Sequence, residues 1–435
     1  MSSKKNVSLQ ILMNGYLVGR LHSSAQGVLS FNYEKSWLDF DNRRLLSLSL
    51  PLSSQSYSGV IVENYFDNLL PDSLAIRSRL QARVGAETTR CFDLLSYIGR
   101  DCVGALQLVA EGAPVDIRKI TATPLSDVEI SDILQSYRTM PLGVNIEEDF
   151  RISVAGAQEK TAFLKQDNRW YRPSGATPTS HIFKLPIGEL GNTGIDLGDS
   201  VENEWICLQL LAEFGVPVAS SEIMQFGEQR VLVVERFDRR WAKDGSWLMR
   251  LPQEDMCQVT GVSGNLKYEN DGGPGMRTIM DILLGSERSY EDRRVFMMAQ
   301  LLFWMLAAID GHAKNFSIFH LRGGVFRMTP LYDVISVHPL VANGRLASQR
   351  VHMAMAVQSK NRHYRRDRIV RRHWLEAARK CRFSVDEMDK IIEECCDSVD
   401  GAIERVAARI PGGFPEVIAK AIFNGLRSSR DSLVR

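Results

Sequence analysis

Asp310 and Asn315 stand in the spacing D-x-x-x-x-N within AAIDGHAKNFSIF, and a further carboxylate, Asp333, follows in MTPLYDVIS. Residues of these types in this order can run phosphoryl transfer. A carboxylate beside an attacking hydroxyl accepts its proton, while Asn and Asp oxygens suit a hard Mg²⁺ ion. The spacing alone arises by chance in most chains of this size. Its context adds weight, because the loop follows a strongly apolar stretch from Met297 to Ile309, interrupted only by Gln300. Asp333 lies in Asp333-Val334-Ile335, where protein kinases carry Asp-Phe-Gly, so a plain turn Asp at a strand end competes with a metal ligand. Two unpaired carboxylates at short range repel, so Asp310 and Asp333 can share a site only around positive charge.

Other side chains could serve the same chemistry. Lys184 sits in the apolar β-type run HIFKLP; a lysine there snorkels at a strand edge or, if the strand roofs a cleft, neutralises phosphates. Glu202 and Glu204 on the next helical run are both candidates to hold it, and the sequence does not choose between them. The small-residue turn Val154, Ala155, Gly156, Ala157, Gln158, Glu159 matches neither G-x-x-x-x-G-K-[ST] nor G-x-G-x-x-G. Gly and Ala still let backbone amides approach a phosphate closely, although an ordinary β-turn reads equally from the string. Ser153 precedes the turn. Glu235, Arg236 and Phe237 end an apolar strand, where backbone groups could read an adenine edge or simply close a strand.

The elements that must position these groups follow from periodicity and punctuation. Short apolar runs broken by Gly, Asn and Ser over 8–50 read as antiparallel β structure, and 63–99 as helical. We take 1–110 as an N-terminal β/α subdomain. Residues 111–150 read as an acidic connector around two short helices. Residues 151–252 read as a β-rich, nucleotide-binding part, with a helix at 200–215 stopped by Gly215 and Pro217. From 253 to 435 the pattern turns helical, with helices expected at 275–286, 290–309, 367–381, 384–398, 400–408 and 413–428, and one short hairpin in GGVFRMTPLYDVIS. The fold class is α+β: a bilobal, kinase-like plan with a β-rich N-terminal lobe, an all-helical C-terminal lobe and a cleft between them.

Composition sets the outer bounds. The chain has 435 residues, 44% hydrophobic and 24% charged, with a formal net charge of +1. That length calls for two or three packed units, and the balance marks neither nucleic acid nor membrane as a bulk partner. The N-terminus lacks a continuous apolar stretch or small-residue cleavage site, and the Met297–Ile309 stretch is too short to span a bilayer. Seven cysteines are scattered without a C-x-x-C pair; this argues against a disulfide framework or zinc site and suits a reducing cytoplasm.

Taken in order, FDNLLPDS (66–73), GRDCVGALQL (99–108), RISVAGAQEKTA (151–162), HIFKLP, ENEW (202–205), VVERFDR (233–239), RLPQEDMCQ (250–258), DGHAKNFS and PLYDVIS resemble the HipA family of bacterial toxin kinases over nearly the whole chain. The resemblance implies a phosphatidylinositol-kinase-like core that uses ATP and Mg²⁺. It implies Asp310 as catalytic Asp, Asn315 and Asp333 as Mg²⁺ ligands and Lys184 as a phosphate contact. Val154 to Glu159 would form the phosphate loop. Ile182, Phe237 and Tyr332 would line the adenine pocket, with Glu235, Arg236 and Phe237 as hinge and His312 beside the nucleotide. Ser153 matches a serine that such kinases autophosphorylate, which switches them off. The implied partners are a small HipB-like helix-turn-helix antitoxin, operator DNA reached through it, and glutamyl-tRNA synthetase as substrate.

One local feature bears on DNA. Residues 359–373, SKNRHYRRDRIVRRH, are strongly basic and include Arg365, Arg366 and Arg368. Such a run reads as a solvated face or as a source of phosphate contacts beside a DNA-bound antitoxin. A rival to the enzyme is a catalytically silent, nucleotide-binding corepressor acting only through its antitoxin–DNA complex. The presence of Asp310, Asn315, Asp333 and Lys184 together favours the enzyme.

Overall fold

The computed structural model describes residues 7–113, 115–139, 160–189 and 196–434. Ser153 and the whole expected phosphate loop, Val154 to Glu159, lie outside the described residues.

The first unit is a five-stranded antiparallel sheet in the order Tyr57–Ser58, Leu29–Tyr33, Tyr16–Ser23, Val7–Met13, Leu106–Ala110. Asn14 and Gly15, at φ 48° and 82°, make the tight turn joining the third and fourth strands of that order, a conformation open to Asn-Gly and closed to most residues. The helices Val60–Asp67 and Cys91–Ile98 bury Val62, Phe66, Leu94 and Leu95 in one core with Ile11, Leu21 and Phe31 of the sheet, and the helix Leu74–Val84 packs half-buried Leu80 and Val84 against it.

The second unit is a six-stranded antiparallel sheet in the order Ser221–Phe226, Gln229–Glu235, His181–Lys184, Lys160–Gln166, Arg169–Pro173, Ala122–Leu125. Alternation divides its faces. Phe163, Phe183, Val231 and Val233 point to one side, where Ile130 and Leu134 of the helix Asp127–Thr139 cover them. Leu232 and Val234 point to the other side and join the main core with the helix Ser200–Glu213. The stretch read as two short helices therefore holds, in its described part, one edge strand and one helix. ATPL carries a proline, which an edge strand tolerates.

The remaining half is built on the buried helix Ser289–Met305, whose residues Phe296 to Met305 are all buried. Around it pack Met276–Ile282, Arg371–Lys380, Val385–Ala407 and Glu416–Val434. Two expectations change here. Helices foreseen at 384–398 and 400–408 are one 23-residue helix. Gly401 costs it about 1 kcal/mol, but buried Val399, Ala402, Ile403 and Val406 carry the apolar stripe straight through. Nor is this half all helical. It holds a three-stranded sheet, Gln253–Asp255, Ser317–His320 and Phe326–Met328, and the hairpin His352–Gln358 with Arg362–Arg365. The hairpin foreseen in GGVFRMTPLYDVIS thus pairs backwards, with the strand that follows Asn315, and PLYDVIS runs on as loop. All seven cysteines are free and buried, Cys395 and Cys396 included. No described helix is long and apolar enough to cross a membrane.

Candidate active site

The loop that carries Asp310 leaves the end of the buried helix through Ala307, at φ 48°, and passes through the turn Ala313–Asn315 into the strand Ser317–His320. That strand is paired on both edges, so the loop is anchored by packed helix on one side and ladder on the other. Asn315 then fastens it to the second acidic loop. Its Nδ2 donates to the carbonyl of Asp310 at 3.0 Å and to that of Asp333 at 3.1 Å. With the nitrogen so engaged, the side-chain oxygen is the group Asn315 has to offer a cation. Asp333 itself sits at φ 62°, a left-handed conformation that Asp tolerates better than most residues but that is strained outside glycine.

Lys184 reaches Asp333 from the sheet. Ile182 and Lys184 share the face of Leu232 and Val234, so both look toward the helical half. The Lys184 Nζ lies 2.6 Å from Glu204 Oε1 and 2.9 Å from Asp333 Oδ1. Burial alone would lower the Lys184 pKa, but Asp333 and Glu204 raise it above the ordinary lysine value. Burial would likewise raise Asp333, yet Lys184 and Lys160 hold its carboxyl well below the usual range. Lys160, opposite Lys184 in the ladder, is pushed down to about 8, mainly by burial, with Asp333 pulling the other way. An anionic Asp333 beside an Asn oxygen is a donor set that fits Mg²⁺, and two lysines beside it fit phosphate.

The two glutamates are now separated. Positions i and i+2 on a helix face different ways. Glu204 takes Lys184, and Glu202 pairs with Arg230 of the neighbouring strand. Glu204→Gln is expected to lower kcat about 10–100-fold by freeing Lys184. Glu202→Gln should leave kcat within about twofold, with steady-state kinetics of both variants as the check.

The aromatic candidates gather nearby. The Phe237 ring lies 5.7 Å from that of Tyr332 and 5.8 Å from that of Phe319. The Tyr332 hydroxyl donates to the Lys314 carbonyl at 2.8 Å and bonds Ser317. Ile182 lies between Ala162 and Val234. Glu235 faces His181 across the ladder, and the Arg236 N–H donates to the Ser180 carbonyl at 2.9 Å. The Arg236 side chain, however, is taken up elsewhere: it is buried among Asp238, Asp101 and Thr179. What Arg236 can offer a nucleotide is backbone. His312 is buried with its ring against Tyr268, and its Nδ1 has no hydrogen-bond partner among the described residues. Its pKa is lowered, chiefly by burial, against the opposing pull of Asp310.

Several participants escaped the sequence reading. Tyr268 donates its hydroxyl to the Asp310 carboxylate, fixing its rotamer. Asp72 of the first unit accepts from Lys314 Nζ at 2.6 Å and Lys267 Nζ at 2.8 Å, which bolts that unit to the loop bearing Asp310. The only sequence signal was a lysine inside D-x-x-x-x-N; its partner lies 242 positions away. Burial works to raise Asp72, but the two lysines bring it down to about 2 from an ordinary 3.8. Because the folded value is the lower one, these pairs stabilise the fold above about pH 4. About 2 kcal/mol is then lost as pH falls through about 2. Acid titrations of stability should show that loss in the parent and not in Asp72→Asn.

The basic run needs a correction. Arg366 is half-buried and turned inward: its Nε donates to the Trp304 carbonyl at 2.8 Å, its Nη2 to Ser429 Oγ, and it stacks over the Trp304 ring. Burial lowers its pKa to about 10. A long apolar stem and a planar head let Arg pack where Lys would stay wet. Arg365, Arg366 and Arg368 therefore do not form one DNA-facing patch.

The six-stranded sheet unit and the helical half together define a kinase-like fold. Residues 152–403 match the HipA-like C-terminal domain, and residues 9–109 match the HipA N-terminal domain. The chain belongs to the HipA family. It is 34% identical to Y4mE of Sinorhizobium fredii, over 75% of this chain and 77% of that protein. With the serine/threonine-protein kinase toxin HipA of Shewanella oneidensis it shares 28% identity over 78% and 77%. Its backbone is similar to a chain of the Shewanella oneidensis MR-1 complex of HipA, HipB and operator DNA. The TM-score is 0.82 at 21% identity, over 98% of this chain and 97% of that one, a likeness of fold.

Proposed function

We propose that this chain is a toxin-type serine/threonine protein kinase that uses Mg·ATP. The observation that carries the reading is the single Asn315 amide bonded to the carbonyls of both Asp310 and Asp333, with Lys184 joining Asp333 to Glu204. Asp310, turned outward and oriented by Tyr268, accepts the proton of the acceptor hydroxyl. Asn315 and Asp333 would hold Mg²⁺, which when bound neutralises charge on the β- and γ-phosphates. Lys184 and Lys160 meet the same phosphates from the sheet. Phe237, Tyr332 and Ile182 supply an apolar slot for the base, and the backbone of Glu235 to Phe237 its polar edge.

HipB and operator DNA accompany HipA in the Shewanella complex, and the other elements of the wider setting follow from the family resemblance. A HipB-like antitoxin that carries the chain to operator DNA, autophosphorylation on Ser153 and a protein substrate such as glutamyl-tRNA synthetase complete the proposal. A phosphate on Ser153 would add a dianion that competes with the nucleotide's own phosphates. Seven buried thiols suit the cytoplasm. Incubation with γ-labelled ATP tests the activity. Label should enter protein with Mg²⁺ present and stop with EDTA, whereas nucleotide binding without transfer would move the function to the silent corepressor.

A further inference from the structure

A cavity of about 730 Å³ opens beside Asp310, and none of Lys184, Ile182, Phe237 or Tyr332 lines it. Tyr268, Asp271 and Asp310 form one side, and Arg362, Arg365 and Arg368 of the hairpin and the turn after it form the other. The sides are tied together, since Glu269 accepts the Ala356 N–H at 2.6 Å and lies 3.9 Å from Arg362. Three arginines thus converge on a groove whose facing side carries two carboxylates, Asp271 and the Asp310 assigned to proton removal. Arg365 is held by Asp367 at 2.7 Å and Arg362 lies at the outer limit of an ion pair with Glu269, while no ion pair is seen for Arg368 among the described residues.

We propose that this groove seats the acceptor strand and selects acidic residues ahead of the reacting serine, the occupant being this chain's own residues 147–153. Glu147, Glu148 and Asp149 precede Ser153 by six, five and four positions. In an extended strand that places the carboxylates about 13–20 Å from the hydroxyl, and a serine over Asp310 whose preceding residues run along the groove would bring them to the arginines. The Ser153 oxygen attacks the γ-phosphorus of ATP, its proton passes to Asp310, and the bond to the β–γ bridging oxygen breaks to release ADP. The inference rests on the kinase reading.

The test uses two fluorescent peptides of residues 146–158, one native and one with Glu147, Glu148 and Asp149 replaced by Lys. The full-length protein is compared with its Arg362→Glu/Arg368→Glu variant, by equilibrium binding and by phosphate incorporation. The parent should bind the native peptide at least about tenfold more tightly, and the variant should reverse the order, a rescue that misfolding cannot produce. Equal binding of both peptides by the parent, or an unchanged order in the variant, overturns the proposal. So does an RNA oligonucleotide that binds more tightly and displaces the native peptide, which would assign the groove to nucleic acid. Ranked binding without any incorporated phosphate sinks the kinase reading and leaves the groove standing, so the two fail separately.

Discussion

Asp333→Asn should lower phosphoryl transfer by at least about 10³-fold while leaving the protein folded. Asn tolerates the left-handed backbone at this position as well as Asp does, so the loop keeps its course. The Asp333 carbonyl still receives the Asn315 amide. What disappears is the charge that faces Lys184 and would hold the metal. Metal-free nucleotide binding should not weaken, because one negative charge near the phosphates has gone. Single-turnover transfer with titrated Mg²⁺, beside nucleotide binding in EDTA, separates the two effects.

The second large effect is structural. Asp101 of the first unit is buried against three arginines: Arg239 at 2.9 Å, Arg250 at 3.1 Å and Arg236 at 3.3 Å. It also accepts from Thr179 Oγ1 at 2.6 Å. Asp238 bonds Arg236 and Arg239 and takes the Gly104 N–H at 2.7 Å. Although burial opposes it, the three guanidinium groups hold Asp101 far below the ordinary carboxylate range. Asp101→Asn leaves Arg236 and Arg239 sharing Asp238, and removes the carboxylate that Arg250 contacts. Removing one partner of a buried ionic cluster costs about 3–5 kcal/mol, so the midpoint in chemical denaturant should fall by a corresponding amount. If the Glu235–Phe237 backbone serves as the proposed hinge, nucleotide affinity should fall as well.

That cluster marks the boundary of what the sequence made legible. Asp310, Asn315, Asp333 and Lys184 could be named because each lies in a short local signature, and the helix or strand beside it has a clear period. Asp101 and Asp72 lie in segments that supported the family resemblance, but what each touches depends on chain paths that local patterns do not encode. The choice between Glu202 and Glu204 failed for a related reason. The helix Ser200–Glu213 is packed on all sides, so neither glutamate could be assigned to solvent, and only the position of Arg230 separates them. Arg366 was misjudged because charge was taken for exposure, when Trp304 supplies a face on which a guanidinium packs. The unbroken helix through Gly401 shows the reverse, a breaker overruled by a continuous buried stripe.

The measurement that bears most directly on the function is γ-labelled Mg·ATP incubation of parent and Asp310→Asn, with the labelled site mapped by mass spectrometry. Asp310 is exposed and oriented by a single tyrosine, so its replacement should leave fold and nucleotide binding intact. Phosphate on Ser153 in the parent and none in Asp310→Asn is the expected result. Equal labelling of the two would contradict the role given to Asp310.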